Sequence, residues 1–145
     1  MKRNDITDKK EIERLDAVNR ERKDQCQKEL ISIMNKLNET YNLCSFSFND
    51  NKDKIANKIA KAVNNLEAVE EKMRWHCEWF DYDSSICYQI NDICYALGII
   101  LAHLLCKDED YDADEDYNIE LFKDELKEGL SFLAKALATL VTWDD

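Results

Sequence analysis

The absence of proline is the feature that most constrains the fold of this chain. Its 145 residues include no proline and only two glycines, Gly98 and Gly129. Proline and glycine supply most of the tight turns of β-rich proteins, whereas long helices proceed without them. Apolar residues make up 45% of the chain and charged residues 35%, which is typical of a globular domain rather than a disordered segment. The sequence therefore predicts an all-α fold, and its length predicts a single helical domain over residues 1–145.

Hydrophobic periodicity predicts four helices, over residues 8–42, 51–80, 84–106 and 117–142. In the first helix a regular apolar stripe begins at Cys26, whereas polar residues interrupt the pattern before it. In the second helix a large apolar residue recurs at every seventh position from Ile59 to Phe80, which is typical of a bundle seam. Residues 43–49 alternate with a period of two and predict a short extended connector. Four long helices joined by short connections predict a four-helix bundle.

The third predicted helix is apolar on nearly every side. Its core face is flanked by Tyr88, Tyr95 and Ile99, so we expect it to be central and buried on several sides. The most apolar run, from Ile93 to Cys106, is shorter than the about 20 residues that a membrane span requires. This pattern favours a core helix over a membrane helix.

The compartment is predicted from the N-terminus and the cysteines. The first eleven residues are charged and lack the apolar stretch of a secretory signal. Reduced thiols, behaving as small buried apolar groups, are therefore expected at all six cysteines. These are Cys26, Cys44, Cys77, Cys87, Cys94 and Cys106. The sequence thus predicts a cytoplasmic protein without a membrane association.

The net charge of −11 is concentrated near the C-terminus. Residues 107–145 carry four basic and thirteen acidic side chains, whereas the rest of the chain is nearly balanced. A strongly negative field repels phosphates and attracts basic surfaces. Direct binding of nucleic acid is therefore disfavoured, and a partner protein with a basic surface is favoured.

Most of these acids form one run between the third and fourth helices. The run comprises Asp108, Glu109, Asp110, Asp112, Asp114, Glu115 and Asp116. Its alternation resembles an EF-hand loop, but Glu115 stands where that loop needs glycine and Leu121 where it needs a bidentate glutamate. We therefore predict no metal here. Two interpretations remain: a solvated loop, or a mimic of phosphates that contacts a basic partner.

A pair of tryptophans marks the end of the second helix. At about 100° per residue, Trp75 and Trp79 lie opposite Met73 and Phe80 on the helix. Tryptophan is enriched at interface hot spots, which favours a partner-binding or dimer surface at these two positions. In the alternative interpretation, the connector or the first helix covers these rings.

The carboxylates of the middle helices suggest an enzymatic alternative. Glu67-x-x-Glu70 is followed, eighteen residues later, by Gln89-x-x-Asp92 at the start of an apolar helix. This pattern resembles the signature of the MazG-like all-α nucleotide pyrophosphohydrolases. The resemblance implies that Glu67, Glu70 and Asp92 would hold magnesium and act on a nucleoside triphosphate. The chain departs from that family at Gln89, which replaces an acid, and solvated helix faces account for the same residues.

These observations favour a non-enzymatic function without cofactor. We expect a small acidic helical protein that binds another macromolecule and inhibits or adapts it. The expected partner is a protein with a basic, nucleic-acid-binding surface, since phage anti-defence and immunity proteins share this physical profile. The binding residues would be Trp75, Trp79 and the acidic run. The alternatives are a degenerate MazG-like pyrophosphohydrolase and a purely structural homo-oligomer, of which the simplest is a homodimer.

Overall fold

A computed structural model describes residues 3–43, 48–81, 84–105 and 117–142 of the chain. These residues form four α-helices: α1 (Lys9–Leu43), α2 (Lys52–Phe80), α3 (Ser85–Leu105) and α4 (Ile119–Val141). Single 3-10 turns lie at Arg3–Asp5 and Asn49–Asn51. The prediction of an all-α four-helix bundle is confirmed, and every helix bound lies within about two residues of its predicted place.

Local side-chain and backbone contacts set the ends of the helices. The Asp8 carboxylate accepts a hydrogen bond from the Lys10 backbone N–H at 3.1 Å, and the Asn118 side chain accepts one from Leu121 N–H at 3.0 Å. Asp81 ends α2 in the left-handed conformation, with φ 57°, and its N–H bonds to the Cys77 carbonyl. The predicted extended connector is wrong at both ends, because residue 43 is helical and residues 49–51 form a 3-10 turn. Residues 44–47 lie outside the described part of the chain.

Each helix runs antiparallel to the one before it. Cys26 of α1 lies against Val69 of α2, whereas Asp16, earlier in α1, lies against Trp79, later in α2. Leu97, near the middle of α3, lies against Gly129 near the middle of α4. Because α1 also packs against α4, the four helices form a square in which the α1–α2 and α3–α4 edges lie on opposite sides.

One continuous hydrophobic core fills the centre of this square. All four helices contribute fully buried apolar side chains, among them Leu30, Leu37, Ile59, Leu66, Met73, Ile90, Ile93, Leu97, Phe122 and Leu126. The expectation that α3 is buried on several sides is wrong for its outer face. Since α3 packs against α2 and α4, its far side is exposed, and Tyr88 and Tyr95 retain 70% and 74% of their surface.

In the described residues, α3 is also the helix with the length and composition of a membrane span. Its 21 residues include an 18-residue window with a mean hydropathy of 1.4. The central helices of soluble bundles meet the same criterion, because their core faces are as apolar as a membrane helix. Seven residues of α3 are buried within this bundle, which accounts for much of its apolar character: Ile86, Cys87, Ile90, Ile93, Leu97, Ile100 and Leu104.

Candidate functional site

The structure separates the two tryptophans that the sequence had grouped into one surface. Trp75 is exposed over 54% of its surface, whereas Trp79 is only 7% exposed. The Trp79 indole N–H donates a hydrogen bond to the Asp16 carboxylate at 2.8 Å. The prediction that Trp79 is a partner-binding anchor is therefore wrong: its ring is buried against α1 of its own chain. Trp75 stays a prediction as a binding residue.

Asp16 is the centre of a polar cluster between α1 and α2. Besides Trp79, it receives hydrogen bonds from the Arg3 guanidinium at 3.0 and 3.1 Å. One turn further along α1, the backbone carbonyl of Asn19 lies 2.8 Å from Nδ1 of the fully buried His76 ring. The N-terminal half of α1 thus packs through polar contacts, although its sequence interrupts the apolar stripe.

The polar cluster makes stability depend on pH. The Arg3 hydrogen bonds, together with the one from Trp79, hold the pKa of Asp16 below its usual range. A depressed pKa in the folded state stabilises the fold above the unfolded pKa of about 3.9, and that contribution is lost as pH falls through the folded pKa. We expect the free energy of unfolding of the native chain to exceed that of Asp16→Asn by a constant amount above about pH 5, and the difference to shrink below about pH 4. Urea unfolding of both proteins between pH 7 and pH 2.5 measures this difference in the free energy of unfolding. A difference that stayed constant down to pH 2.5 would contradict the depressed pKa of Asp16.

The three carboxylates that the pyrophosphohydrolase resemblance implies as magnesium ligands are not brought together as a metal site. Glu70 is buried and pairs with Arg74, whose Nη2 lies 2.6 Å from a Glu70 oxygen. Glu67 and Asp92 are exposed. Within the described ranges, no group of three histidine, cysteine or carboxylate side chains is close enough to hold a metal ion. The structure therefore gives the pyrophosphohydrolase alternative no assembled ligand set.

The acidic run lies outside the described residues, but the structure fixes where it is attached. The described chain leaves α3 at Leu105 and resumes at Tyr117. The buried Tyr117 ring stacks on His103, near the end of α3, with ring centroids 4.6 Å apart. Both ends of residues 106–116 are thus held at one end of the α3–α4 pair.

A groove of about 380 Å³ lies between α3 and α4 on the exposed face of the bundle. Carboxylates and apolar side chains line it, and α3 itself contains no lysine or arginine. The acids are Asp92, Glu125 and Glu128, and the apolar residues include Tyr95, Ile99 and Phe132. The Lys135 ammonium lies 5.7 Å from the centroid of the Phe132 ring, which shows that a cation is accommodated against this ring. We define the groove, with the exposed Tyr88 ring on the same helix, as the acidic aromatic face.

The opposite edge of the bundle carries a groove of opposite charge. This groove, between α1 and α2, has a volume of about 210 Å³ and an apolar floor that includes Ile33 and Leu37. Its charged lining residues are Lys36, Lys58, Lys61 and Glu39, which leaves a net positive charge. The lining side chains of the two grooves therefore differ in the sign of their net charge.

The sequence predicted neither wall of the acidic aromatic face as a surface, because Tyr95 and Ile99 were expected on a helix buried on several sides. The wall on α3 includes Asp92, Tyr95 and Ile99. On α4, Glu125, Glu128 and Phe132 follow one another at helical spacing beside the core stripe, which is the signal that could have revealed the second wall.

Comparison with protein-family models, with curated proteins and with solved structures finds no match for this chain. The features that bear on function are therefore those of the molecule itself. They are the acidic aromatic face, the basic α1–α2 groove and the buried polar cluster around Asp16.

Proposed function

We propose that this protein is a non-enzymatic binding protein that docks a partner with a basic surface on its acidic aromatic face. The observation that carries the proposal is the combination of exposed rings and carboxylates along α3 and α4. Tyr88 and Tyr95 are among the most exposed large side chains of the described residues. Asp92, Glu125 and Glu128 line the groove with Tyr95, and the Lys135 side chain lies against the Phe132 ring. Aromatic residues and arginine are the side chains most enriched in protein interfaces.

The geometry suits lysine and arginine side chains of a partner. A guanidinium in the groove would contact carboxylates from both walls and stack on the Tyr95 ring, and such cation–π contacts contribute about 0.5–2 kcal/mol. Ile99 and Phe132 provide the apolar floor that excludes water around these charges. The acidic run 108–116, attached at one end of this face, would steer the partner towards it and raise the association rate.

Binding of this kind would block or adapt the partner by covering its basic surface. That is the expected mode of action of a protein that inhibits a nucleic-acid-binding protein by competing with phosphates. We place the interaction in the cytoplasm, because the four cysteines within the described ranges are thiols, as is usual in that compartment.

A matched pair of charge-reversal variants tests the proposal. Asp92→Lys/Glu128→Lys reverses two charges in the groove, whereas Glu13→Lys/Glu21→Lys makes the same change at exposed positions of α1. The probe is a fluorescein-labelled peptide of alternating arginine and leucine, titrated by anisotropy at low and physiological salt. We expect the groove variant to raise the Kd about tenfold or more and the α1 variant by less than about threefold, because close charge pairs across an interface couple by about 1.5 kcal/mol or more.

Two results would overturn the proposal. Equal weakening by both variants would show that only the net charge matters. A dimer in sedimentation equilibrium that Tyr95→Ala dissociates would show that a second copy covers this face, which is the structural homo-oligomer alternative. Capture from a lysate supports the proposal only where the retained protein is basic, is lost with the groove variant and is kept with the α1 variant.

A further inference from the structure

Two cysteines meet across the tight hairpin between α2 and α3. Cys77 is three residues before the end of α2, and Cys87 is the third residue of α3. The Cys77 thiol donates a hydrogen bond to the Cys87 sulfur, and the Cys87 thiol donates one to the Glu70 backbone carbonyl at 3.9 Å. Cys77 and Cys87 are both buried but retain a small accessible surface. No sulfur chemistry is needed for the proposed binding function, so this pair is an independent feature.

The surroundings of the pair lower the pKa of Cys87. The hydrogen bond from Cys77 lowers the pKa of Cys87, and the nearby Arg74 guanidinium lowers it further, against the opposing effects of burial and Glu70. Burial instead raises the pKa of Cys26 and of Cys94 to about 11. Since the thiolate is the nucleophile in thiol–disulfide exchange, Cys87 is the cysteine among these that would react first.

We propose that Cys77 and Cys87 are a redox-reactive dithiol that small disulfides convert reversibly to a disulfide bridging α2 and α3. The Cys87 thiolate attacks one sulfur of a small disulfide such as oxidised glutathione, whose S–S bond breaks and releases one thiolate that takes a proton from water. Cys77 then loses its proton and attacks the Cys87 sulfur of the mixed disulfide, releasing the second thiol. Two electrons and two protons pass from the protein to the small disulfide, which becomes two thiols.

The bridge would close a short loop of about 11 residues and hold the hairpin together in the unfolded state. Constraining the unfolded chain in this way raises the Tm, for a chain of this length by about 5–10 °C. In a reducing glutathione pool the dithiol is the stable form, and the bridge forms when the pool is oxidised.

Treatment of the intact protein with oxidised glutathione tests the proposal. Cleavage before aspartates isolates Cys77 in the fragment 53–80 and Cys87 in the fragment 83–91, each as its sole cysteine. We expect mass spectrometry to detect these two fragments joined with the loss of two hydrogens, and the Tm to rise by about 5–10 °C. Dithiothreitol should reverse both effects.

Matched serine variants separate the pair from the other thiols. We expect Cys77→Ser and Cys87→Ser to abolish the joined fragment and the rise in Tm, and Cys26→Ser and Cys94→Ser to retain both. Far-UV circular dichroism confirms that each variant is folded before oxidation. A stable glutathione adduct on Cys87 without the joined fragment would overturn the proposal. A disulfide between the two fragments that leaves the Tm unchanged would also overturn it.

Discussion

Trp79→Ala is expected to lower the free energy of unfolding by about 3–5 kcal/mol, the range for removing a buried tryptophan. The Trp79 ring is buried between α1 and α2, and its loss leaves a cavity that two long helices cannot close by a small shift. The substitution also removes the indole N–H that donates to Asp16 at 2.8 Å. Urea unfolding at pH 7, followed by far-UV circular dichroism, measures the effect.

Two further variants separate the causes of that loss. Trp79→Phe keeps most of the apolar area and removes the hydrogen bond, so we expect a cost of about 1–2 kcal/mol. Trp75→Ala, four residues earlier on the same helix, should change the stability by less than about 0.5 kcal/mol because its ring is exposed. Equal costs for Trp75→Ala and Trp79→Ala would contradict the described packing. A binding assay that removes both rings together therefore confounds a surface effect with unfolding.

The bundle was predictable because local signals agree along most of the chain. The absence of proline, the apolar stripes and the capping residues Asp8 and Asn118 all indicate the same helices. In the acidic aromatic face, the exposure of α3 was not predicted, because its apolar character around Tyr88 and Tyr95 indicated burial on several sides. The pairing of α3 with α4 could not be predicted either, because the same four helices fill a square in more than one order and periodicity does not choose between them.

In the N-terminal half of α1, residue type is a poor guide to burial, whereas helical phase predicts it correctly. Asp16, Asn19 and Lys23 are buried, although each is polar. They continue the apolar stripe of Cys26 and Leu30 at spacings of three and four residues, so their phase places them on the core side. Trp79 was misplaced for a different reason: its helical phase sets it opposite Met73 and Phe80, and the phase of one helix does not reveal that α1 covers that side through Asp16.

Phe122→Ala is expected to destabilise the opposite end of the bundle by about 3–5 kcal/mol. The Phe122 ring is fully buried, and its centroid lies 5.3 Å from that of Phe48, which precedes α2. Phe48 also lies 6.2 Å from the Tyr117 ring, so these three side chains link the start of α2 to the start of α4. Truncating Phe122 removes the fully buried ring of this link and leaves a cavity in the core.

The matched control for Phe122 is Phe132, nearly three turns further along α4. Its ring is half-buried at the rim of the acidic aromatic face, so Phe132→Ala should cost only about 1 kcal/mol. Urea unfolding of both variants makes the comparison, and equal costs would contradict the described core.

The same pair of variants connects stability to binding. Phe132→Ala should weaken binding of the basic peptide while the fold persists. Phe122→Ala should instead reduce binding in proportion to the fraction of unfolded chain, because Phe122 supports α4 from inside and does not line the groove.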